Sequence, residues 1–589
     1  MKKFLIGLIA GFLLAGLALI IIGFAMVKLG DRKPEIASGS TLMLKLQGQV
    51  LEVAQPEIPL PFFESRSPLT VLDVWDLLRK AAADQRVAAI AFEPASLDAG
   101  WGKLDEIRRA LLQFRKSGKP VYCYLRNPGS REYYLATAAD KIYMTSEDVL
   151  FIRGLRAELM YFKQGLDKIG VQMEVENVGP HKDALDPFIK TAPSPETKAT
   201  TEAILDQVHS SFLATVAEGR KKSVDDIRRL VDEGPLLGPQ AVTAGLIDGL
   251  MYENEYLDEL RKRLKQDKLT RLSYRDYMKV PASSVGLGGK SRVAVISGSG
   301  AILRGSAPGG FDDSEGIYST NFTKLLRDAS EDARIRAVIL RVDSPGGDAI
   351  ASDEILHEVK RLSARKPLVV SMSDVAASGG YYIAMSGDPV LAYPNTITGS
   401  IGVIFGKVNL EKLYEKLGIH VEILTRGKNA ALDTSSRPLT EAGRAKLHEG
   451  VQAIYKTFLQ RVATGRKKKV EEVEPFAGGR VWMGAAAKTN GLVDEMGGLE
   501  RAIALVKQKA KIAESEQVQL VAYPPKKSVF EQFFATSVET IGEGPDAWAD
   551  QLVQAKARRM LRDIAPGLDW RLLRDGAYLR VMPYSITVD

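Results

Sequence analysis

The chain has 589 residues, too many for one ordinary hydrophobic core, so two or more domains are expected. Apolar residues at 45% and charged residues at 26% are ordinary for a folded globular protein. The formal charge of +7, which would fit nucleic acid or an anionic membrane surface, is spread along the sequence without zinc-ligand spacing or an aromatic-basic RNA-binding motif, so it reads as solvated surface and no nucleic-acid partner is expected. Cys123 is the single cysteine, which excludes an intramolecular disulfide and a cysteine metal cluster.

The first element is apolar. After Met1-Lys2-Lys3, residues 4–27 carry no charge and almost no polarity. As a helix rising about 1.5 Å per residue they reach roughly 36 Å, enough to span the hydrocarbon core of a membrane. A cleaved signal peptide has a shorter apolar stretch and a small-residue exit, so an uncleaved anchor is expected. Lys2 and Lys3 on one side nearly balance Lys28, Arg32 and Lys33 on the other, so charge leaves the orientation open.

The rest of the chain repeats itself. Residues 77–90 (LLRKAAADQRVAAI) resemble residues 325–338 (LLRDASEDARIRAV) at an offset of 248. The same offset pairs Asp105-Glu106-Ile107 with Asp353-Glu354-Ile355, Tyr133-Tyr134 with Tyr381-Tyr382, Gly170 with Gly418 and Gly179 with Gly427. After a two-residue gap, residues 212–222 (FLATVAEGRKK) answer residues 458–468 (FLQRVATGRKK). Such a register marks a tandem duplication. Each half alternates short β-rich runs (87–92, 338–342, 367–371) with amphipathic stretches such as 353–362, which predicts a largely parallel sheet with helices outside. The resulting division is an anchor (4–27), a first repeat (40–280), a Gly-rich linker (281–290), a second repeat (291–513) and a tail (514–589) with a helical stretch near 548–564.

The glycine-containing turns of the second repeat hold the candidate chemistry. His181, His209, His357, His420 and His448 show no ligand spacing, so neither a metal nor another cofactor is expected. Asp343-Ser344-Pro345-Gly346-Gly347-Asp348 lies between a strand and a helix, where two glycines let backbone amides face a ligand as an oxyanion hole requires. In Ser378-Gly379-Gly380-Tyr381-Tyr382 the glycines suit helix packing better than a nucleophile. In Thr398-Gly399-Ser400-Ile401-Gly402 the small neighbours predict an accessible Ser400 hydroxyl.

These three blocks, SPGG at 344–347, ASGGYY at 377–382 and TGSIGV at 398–403, resemble the successive motifs of the signal peptide peptidase A (protease IV) family. The duplicated halves behind an N-terminal anchor are similar to its long, bacterial-type form, from the anchor to about residue 510. The resemblance implies an α/β fold: a tandem duplication of Clp-protease/crotonase-like spirals of ββα units. It implies that Ser400 is the nucleophile. Lys182, in Lys182-Asp183-Ala184-Leu185-Asp186-Pro187-Phe188, matches the family's Lys-x-Ala-x-x-Pro-Phe and is implied to be the general base. It also implies a homotetramer acting on remnant signal peptides and similar apolar peptides. That assembly would sit in the bacterial inner membrane, with the catalytic body on the periplasmic side.

The duplication adds its own argument. The counterpart of Ser400 is Ile152 and that of Lys182 is Ala430, so each half lacks what the other supplies. Lys428 lies two residues from Ala430 and is the alternative base if a local gap shifts the register. An isolated loop lysine is ordinarily solvated; the repeat and the family motif are what single out Lys182. An exposed amine has a pKa of about 10.4 and is protonated at neutral pH, but burial disfavours the ammonium form and frees the amine to take a serine proton. Gly346 and Gly347, joined by the amide of Ile401, are the expected oxyanion donors, and Thr425 is the candidate hydroxyl to orient the lysine. Two rival readings are a crotonase-like acyl-thioester enzyme, which uses such amides without a nucleophile, and a non-catalytic membrane scaffold.

Overall fold

The computed structural model describes residues 35–54, 68–307, 316–525 and 578–581, together with Gly11. The anchor expected at 4–27 and the helix expected near 548–564 therefore fall outside the described residues. Among the described residues no helix is long and apolar enough to cross a membrane.

In the first half, β1 (Ser40–Gln49), β2 (Val87–Asp98), β3 (Val121–Tyr124) and β4 (Lys141–Met144) form the centre of a parallel sheet. β5 (Gln172–Val178) leaves it, and β6 (Gly249–Leu250) and β7 (Arg271–Ser273) close its edges, in the order β6-β4-β3-β2-β1-β7. Residues alternate between its faces as the period of a strand demands. Leu42, Leu44, Phe92 and Cys123 point to one core, while Ala89, Ala91, Tyr122 and Tyr124 meet Tyr256 and Leu260 on the other. Helices α1 (Val71–Ala83) and α2 (Trp101–Arg115) follow β1 and β2, with α3 (Lys163–Ile169) and α4 (Pro195–Arg220) further along. Thr70 starts α1 by a reciprocal cap: its hydroxyl accepts from Asp73 N (3.0 Å) and its own N–H donates to the Asp73 carboxylate (3.2 Å).

The second half repeats the plan with β8 (Arg292–Ser299), β9 (Ala301–Leu303), β10 (Gly316–Tyr318), β11 (Ile335–Ser344), β12 (Gly346–Asp348), β13 (Leu368–Ala377), β14 (Ile397–Gly399), β15 (Val403–Asn409), β16 (Val481–Met483), β17 (Gln519–Tyr523) and β18 (Tyr578–Val581). Its main sheet follows β16-β14-β13-β11-β8-β17. Helices α5 (Ser319–Glu331), α6 (Ala349–Arg365), α7 (Gly379–Ile383), α8 (Glu411–Leu417) and α9 (Glu441–Gly465) accompany it. β7 and β17 hold the same edge position, at an offset of 248. The duplication thus extends past residue 513, and the first strand of the expected tail belongs to the second sheet. The expected linker is also packed rather than free: a Cβ on Gly289 would sit 1.5 Å from Gln517 O.

The halves meet across a buried ionic seam. Arg341, 1% exposed, reaches Glu52 (3.1 Å) and Glu106 (3.0 Å) of the first half. Lys103 of the first half reaches Asp343 (2.7 Å) and Asp374 (3.1 Å) of the second. Asp374 also caps α2 from across the seam, accepting from Gly100 N (3.0 Å) and Lys103 N (2.7 Å), where Gly100 has no side chain to do so. Burial opposes the charge of Lys103, yet the carboxylates of Asp343 and Asp374 hold its amine above its ordinary pKa. Removing one member of such a cluster leaves an uncompensated buried charge, which costs about 3–5 kcal/mol.

A third sheet joins the two halves, in the order β10-β9-β12-β18-β15-β5. Its outermost strand, β5, belongs to the first half, and this crossing strand positions the site.

Candidate active site

β5 pairs antiparallel with β15 from Val178↔Val403 to Gln172↔Asn409. Lys182 lies just beyond the end of β5 and Ser400 just before the start of β15, so this register carries the two residues toward each other. Glycines make the approach possible. A Cβ on Gly479 would stand 2.5 Å from Lys182 N, and one on Gly179 would stand 2.3 Å from Gly478 O. The lysine loop is tied down by His181 N–H donating to Gly478 O (3.1 Å) and by the Asn177 side-chain amide donating to Lys182 O (2.8 Å).

Ser400 sits in the left-handed region at φ +52°, a conformation that a non-glycine residue adopts only under tertiary constraint. The constraint here is the bond from Ser400 N–H to Arg480 O (2.8 Å), next to the antiparallel pairing of β14 with β16. The turn aims the hydroxyl inward. Lys182 Nζ lies 2.9 Å from Ser400 Oγ, 2.7 Å from Ser378 Oγ and 3.1 Å from Ser400 O. Lys182, Ser378 and Ser400 are each 0% exposed. Ser378 also has positive φ (+53°), and its neighbour Gly379 packs against the glycine turn: a Cβ there would stand 3.1 Å from Gly347 N. The three sequence blocks therefore converge on one place.

Next to the lysine, Asp183 is buried with one carboxylate oxygen lacking a hydrogen-bond partner. Burial raises its pKa to about 6, against the opposing hydroxyl of Thr197. β18, near the C-terminal end of the chain, lies antiparallel to β12, with Gly346↔Val581, Gly347↔Arg580 and Asp348↔Leu579, and pairs on its other side with β15.

Residues 113–267 and 360–513, together more than half of the chain, match peptidase family S49. The chain is 35% identical over 491 residues to the "Serine protease SPPA, chloroplastic" of Arabidopsis thaliana, covering 82% of this chain and 71% of that one. It is 31% identical over 472 residues to "Protease 4" of Haemophilus influenzae, covering 77% and 75%. A shorter match, 34% identity over 200 residues, joins it to the "Putative signal peptide peptidase SppA" of Enterococcus faecium, covering 34% of this chain and 58% of that one. The chain belongs to peptidase family S49. It is a serine-type peptidase of the protease IV, or signal peptide peptidase A, type.

In this S49 peptidase several site residues lie elsewhere than the sequence suggested. Ser400 is not accessible but wholly buried, its hydroxyl turned to Lys182. Thr425 is exposed, so the hydroxyl at the lysine is that of Ser378 instead. Lys428 is also exposed, in the loop that replaces a second crossing strand. Of the oxyanion candidates, Gly346 N–H already donates to Ser344 Oγ (3.1 Å). Gly347 lies on β12 facing Arg580 of β18, and Ile401 is wholly buried, its carbonyl accepting from Gly479 N (2.9 Å). Sequence reasoning missed Gly478 and Gly479; their adjacency was the available signal, but nothing local says which loop they must admit.

Proposed function

We propose that this peptidase cleaves apolar peptides, among them signal peptides released from preproteins, with Ser400 as nucleophile and Lys182 as general base. The observation that carries the reading is the 2.9 Å separation of Lys182 Nζ and Ser400 Oγ between two halves of a duplicated chain. A neutral amine has two N–H donors and one lone pair. Donation to Ser378 Oγ and Ser400 O leaves the lone pair for the Ser400 O–H.

The chemistry then follows in order. Lys182 takes the hydroxyl proton as Ser400 Oγ attacks the scissile carbonyl, and the tetrahedral oxyanion is met by the amide of Gly347. Lys182 returns the proton to the leaving amine, and an acyl-enzyme remains on Ser400. Water, deprotonated by the same amine, releases the acid. Ser378 holds the amine on line. An extended substrate takes the place of β18 beside β12, where main-chain pairing reads backbone and adjacent apolar side chains supply preference. In the same proposal residues 4–27 anchor the protein in a bacterial inner membrane, the catalytic body is extracytoplasmic, and the working form is a homo-oligomer.

A serine-directed fluorophosphonate probe tests the dyad. Labelling is expected in the wild type, lost in Ser400→Ala and strongly slowed in Lys182→Ala, with unchanged circular dichroism. Wild-type labelling rates in Lys182→Ala would remove the lysine from the mechanism. Absence of labelling with retained acyl-thioester turnover would instead favour a crotonase-like enzyme.

A further inference from the structure

The first half keeps a cleft where the second half has its reactive turns. At the offset of 248, Ser96 stands for Ser344, Gly129 and Ser130 for Ala377 and Ser378, and Phe151 and Arg153 for Gly399 and Ile401. These residues line one open cavity of about 470 Å³. That is the size of a small-ligand site, about 300–1,000 Å³. The three blocks therefore still converge in the half that has no nucleophile: Ile152, the counterpart of Ser400, is wholly buried. A β-bulge shapes the rim. β1 pairs Gln47 with Ala95 and Gly48 with Leu97, so Ser96 is skipped, and it turns at φ +47°. Bulges recur beside binding sites, where they re-aim a side chain.

What differs between the two clefts is charge. Where the second half has Gly380, on which a Cβ would stand 2.5 Å from Ser344 O, the first has Glu132. Its buried carboxylate accepts from Leu97 N (2.6 Å) and Gly129 N (2.9 Å), so two backbone amides of the cleft already hold an acid of the chain itself. Where the second half has Gly379 and Ile401, the first has Arg131 and Arg153, and both line the cavity. Arg156 lines it too, paired with Glu158 (3.2 Å), which leaves Glu132 as the one acid in the lining. Arg153 is exposed and makes no hydrogen bond or ion pair among the described residues. Its planar fork matches a carboxylate with two parallel N–H donors. The wall beside it is apolar: Leu97, and Phe151 in an isolated parallel bridge with Gly129. A cation without an acid, set against aliphatic and aromatic surface, suits the end of an apolar peptide better than a compact inorganic anion.

We infer that the first-half cleft is a holding site for the free C-terminal carboxylate of an apolar peptide, with Arg153 on the carboxylate and Leu97 and Phe151 against the last side chain. The class of ligand rests on the peptide-hydrolysis reading, whereas the cavity and its charge do not. The cleft holds without cleaving, because Ile152 offers no nucleophile and Glu132 occupies the amides of Leu97 and Gly129. A ligand of this kind is always at hand, since each hydrolysis at Ser400 leaves one new C-terminal carboxylate on the acyl fragment. Capture of a chain end by a fixed cation is a recurring mode of peptide recognition.

The test uses the full-length Ser400→Ala protein in detergent micelles, so that no peptide is consumed. The probes are a short fluorescein-labelled peptide of Ala and Leu with a free C-terminus and the same peptide as its C-terminal amide, followed by fluorescence anisotropy. The acid is expected to bind at least about tenfold more tightly than the amide, the worth of one hydrogen-bonded charge contact. Arg153→Gln, at an exposed position, should bring the acid to the affinity of the amide with an unchanged circular dichroism spectrum, and Arg153→Lys should keep part of the preference. Inorganic phosphate should displace the acid only at millimolar concentration. Equal affinity of acid and amide, a preference that survives Arg153→Gln, or displacement by micromolar phosphate would overturn the inference. Loss of the acid preference would leave fluorophosphonate labelling of wild-type Ser400 in place. Failure of that labelling would strike the hydrolysis reading and leave the binding result standing.

Discussion

The two halves share a backbone plan and differ at the few atoms that matter. Where the second half has Ser400, the first has Ile152, and both are wholly buried. Where the second half has Ser378 on Lys182, the first keeps a serine, Ser130, with no amine beside it among the described residues. The first-half cleft remains as a cavity of about 470 Å³ lined by Ser96, Ser130 and Arg153. β5 leaves the first sheet and carries Lys182 to within 2.9 Å of Ser400 Oγ in the other half. A duplicated fold can therefore keep two scaffolds while building one lysine–serine contact between them.

The largest effect tests that asymmetry directly. Ser400→Ala is expected to lower peptide hydrolysis by on the order of 10³–10⁶-fold with the fold intact. Adding Ile152→Ser should restore nothing, because Ile152 lies in an apolar core and the counterpart of Lys182 is Ala430 of the second half. Recovered turnover in the Ser400→Ala/Ile152→Ser protein would break the comparison.

Ser378→Ala should lower kcat by about 10²-fold with little change in KM, since in the proposed mechanism the hydroxyl orients Lys182 rather than the substrate. Ser130→Ala should leave kcat unchanged. Equal losses at the two serines would mean that both act through packing alone.

Deleting residues 578–589 removes β18 from the slot between β12 and β15. The expected result is a severalfold lower KM for extended apolar peptides at unchanged kcat, measured by steady-state kinetics. A raised KM would show that β18 completes the peptide track instead of occupying it.

The smallest effect concerns Asp183, whose counterpart is Ala431. Its pKa in the folded protein is about 6, above the ordinary 3.8, because burial disfavours the carboxylate. Its protonated form therefore stabilises the folded state below pH 4, and that contribution is lost as pH rises through 6. Asp183→Asn should flatten the fall in melting temperature between pH 4 and 6.5, while Ala431→Ser should not change it. An unaltered slope in Asp183→Asn would assign the dependence to other carboxyl groups.

Much of this arrangement was legible before any coordinates. The offset of 248 residues predicted equivalent elements, and α1 and α5, α3 and α8, and β7 and β17 fall on it. The boundary drawn at 513 came too early, because Gln519–Tyr523 matches its counterpart in position but shares with it only the leucine at 272 and 520. Strand periodicity was readable because a parallel sheet buried on both faces needs apolar side chains at nearly every position.

By itself, the sequence determined the duplication and the α/β plan, and its resemblance to a family motif singled out residues 182 and 400, because repeats, turn glycines and short motifs are written in adjacent positions. Tertiary structure alone decided that Ser378 and not Thr425 meets the lysine, that Ser400 is buried, and that Asp374 caps a helix of the other half. Each of those contacts joins residues far apart in sequence, and hydroxyls look alike until packing selects the one that lies 2.7 Å from the amine.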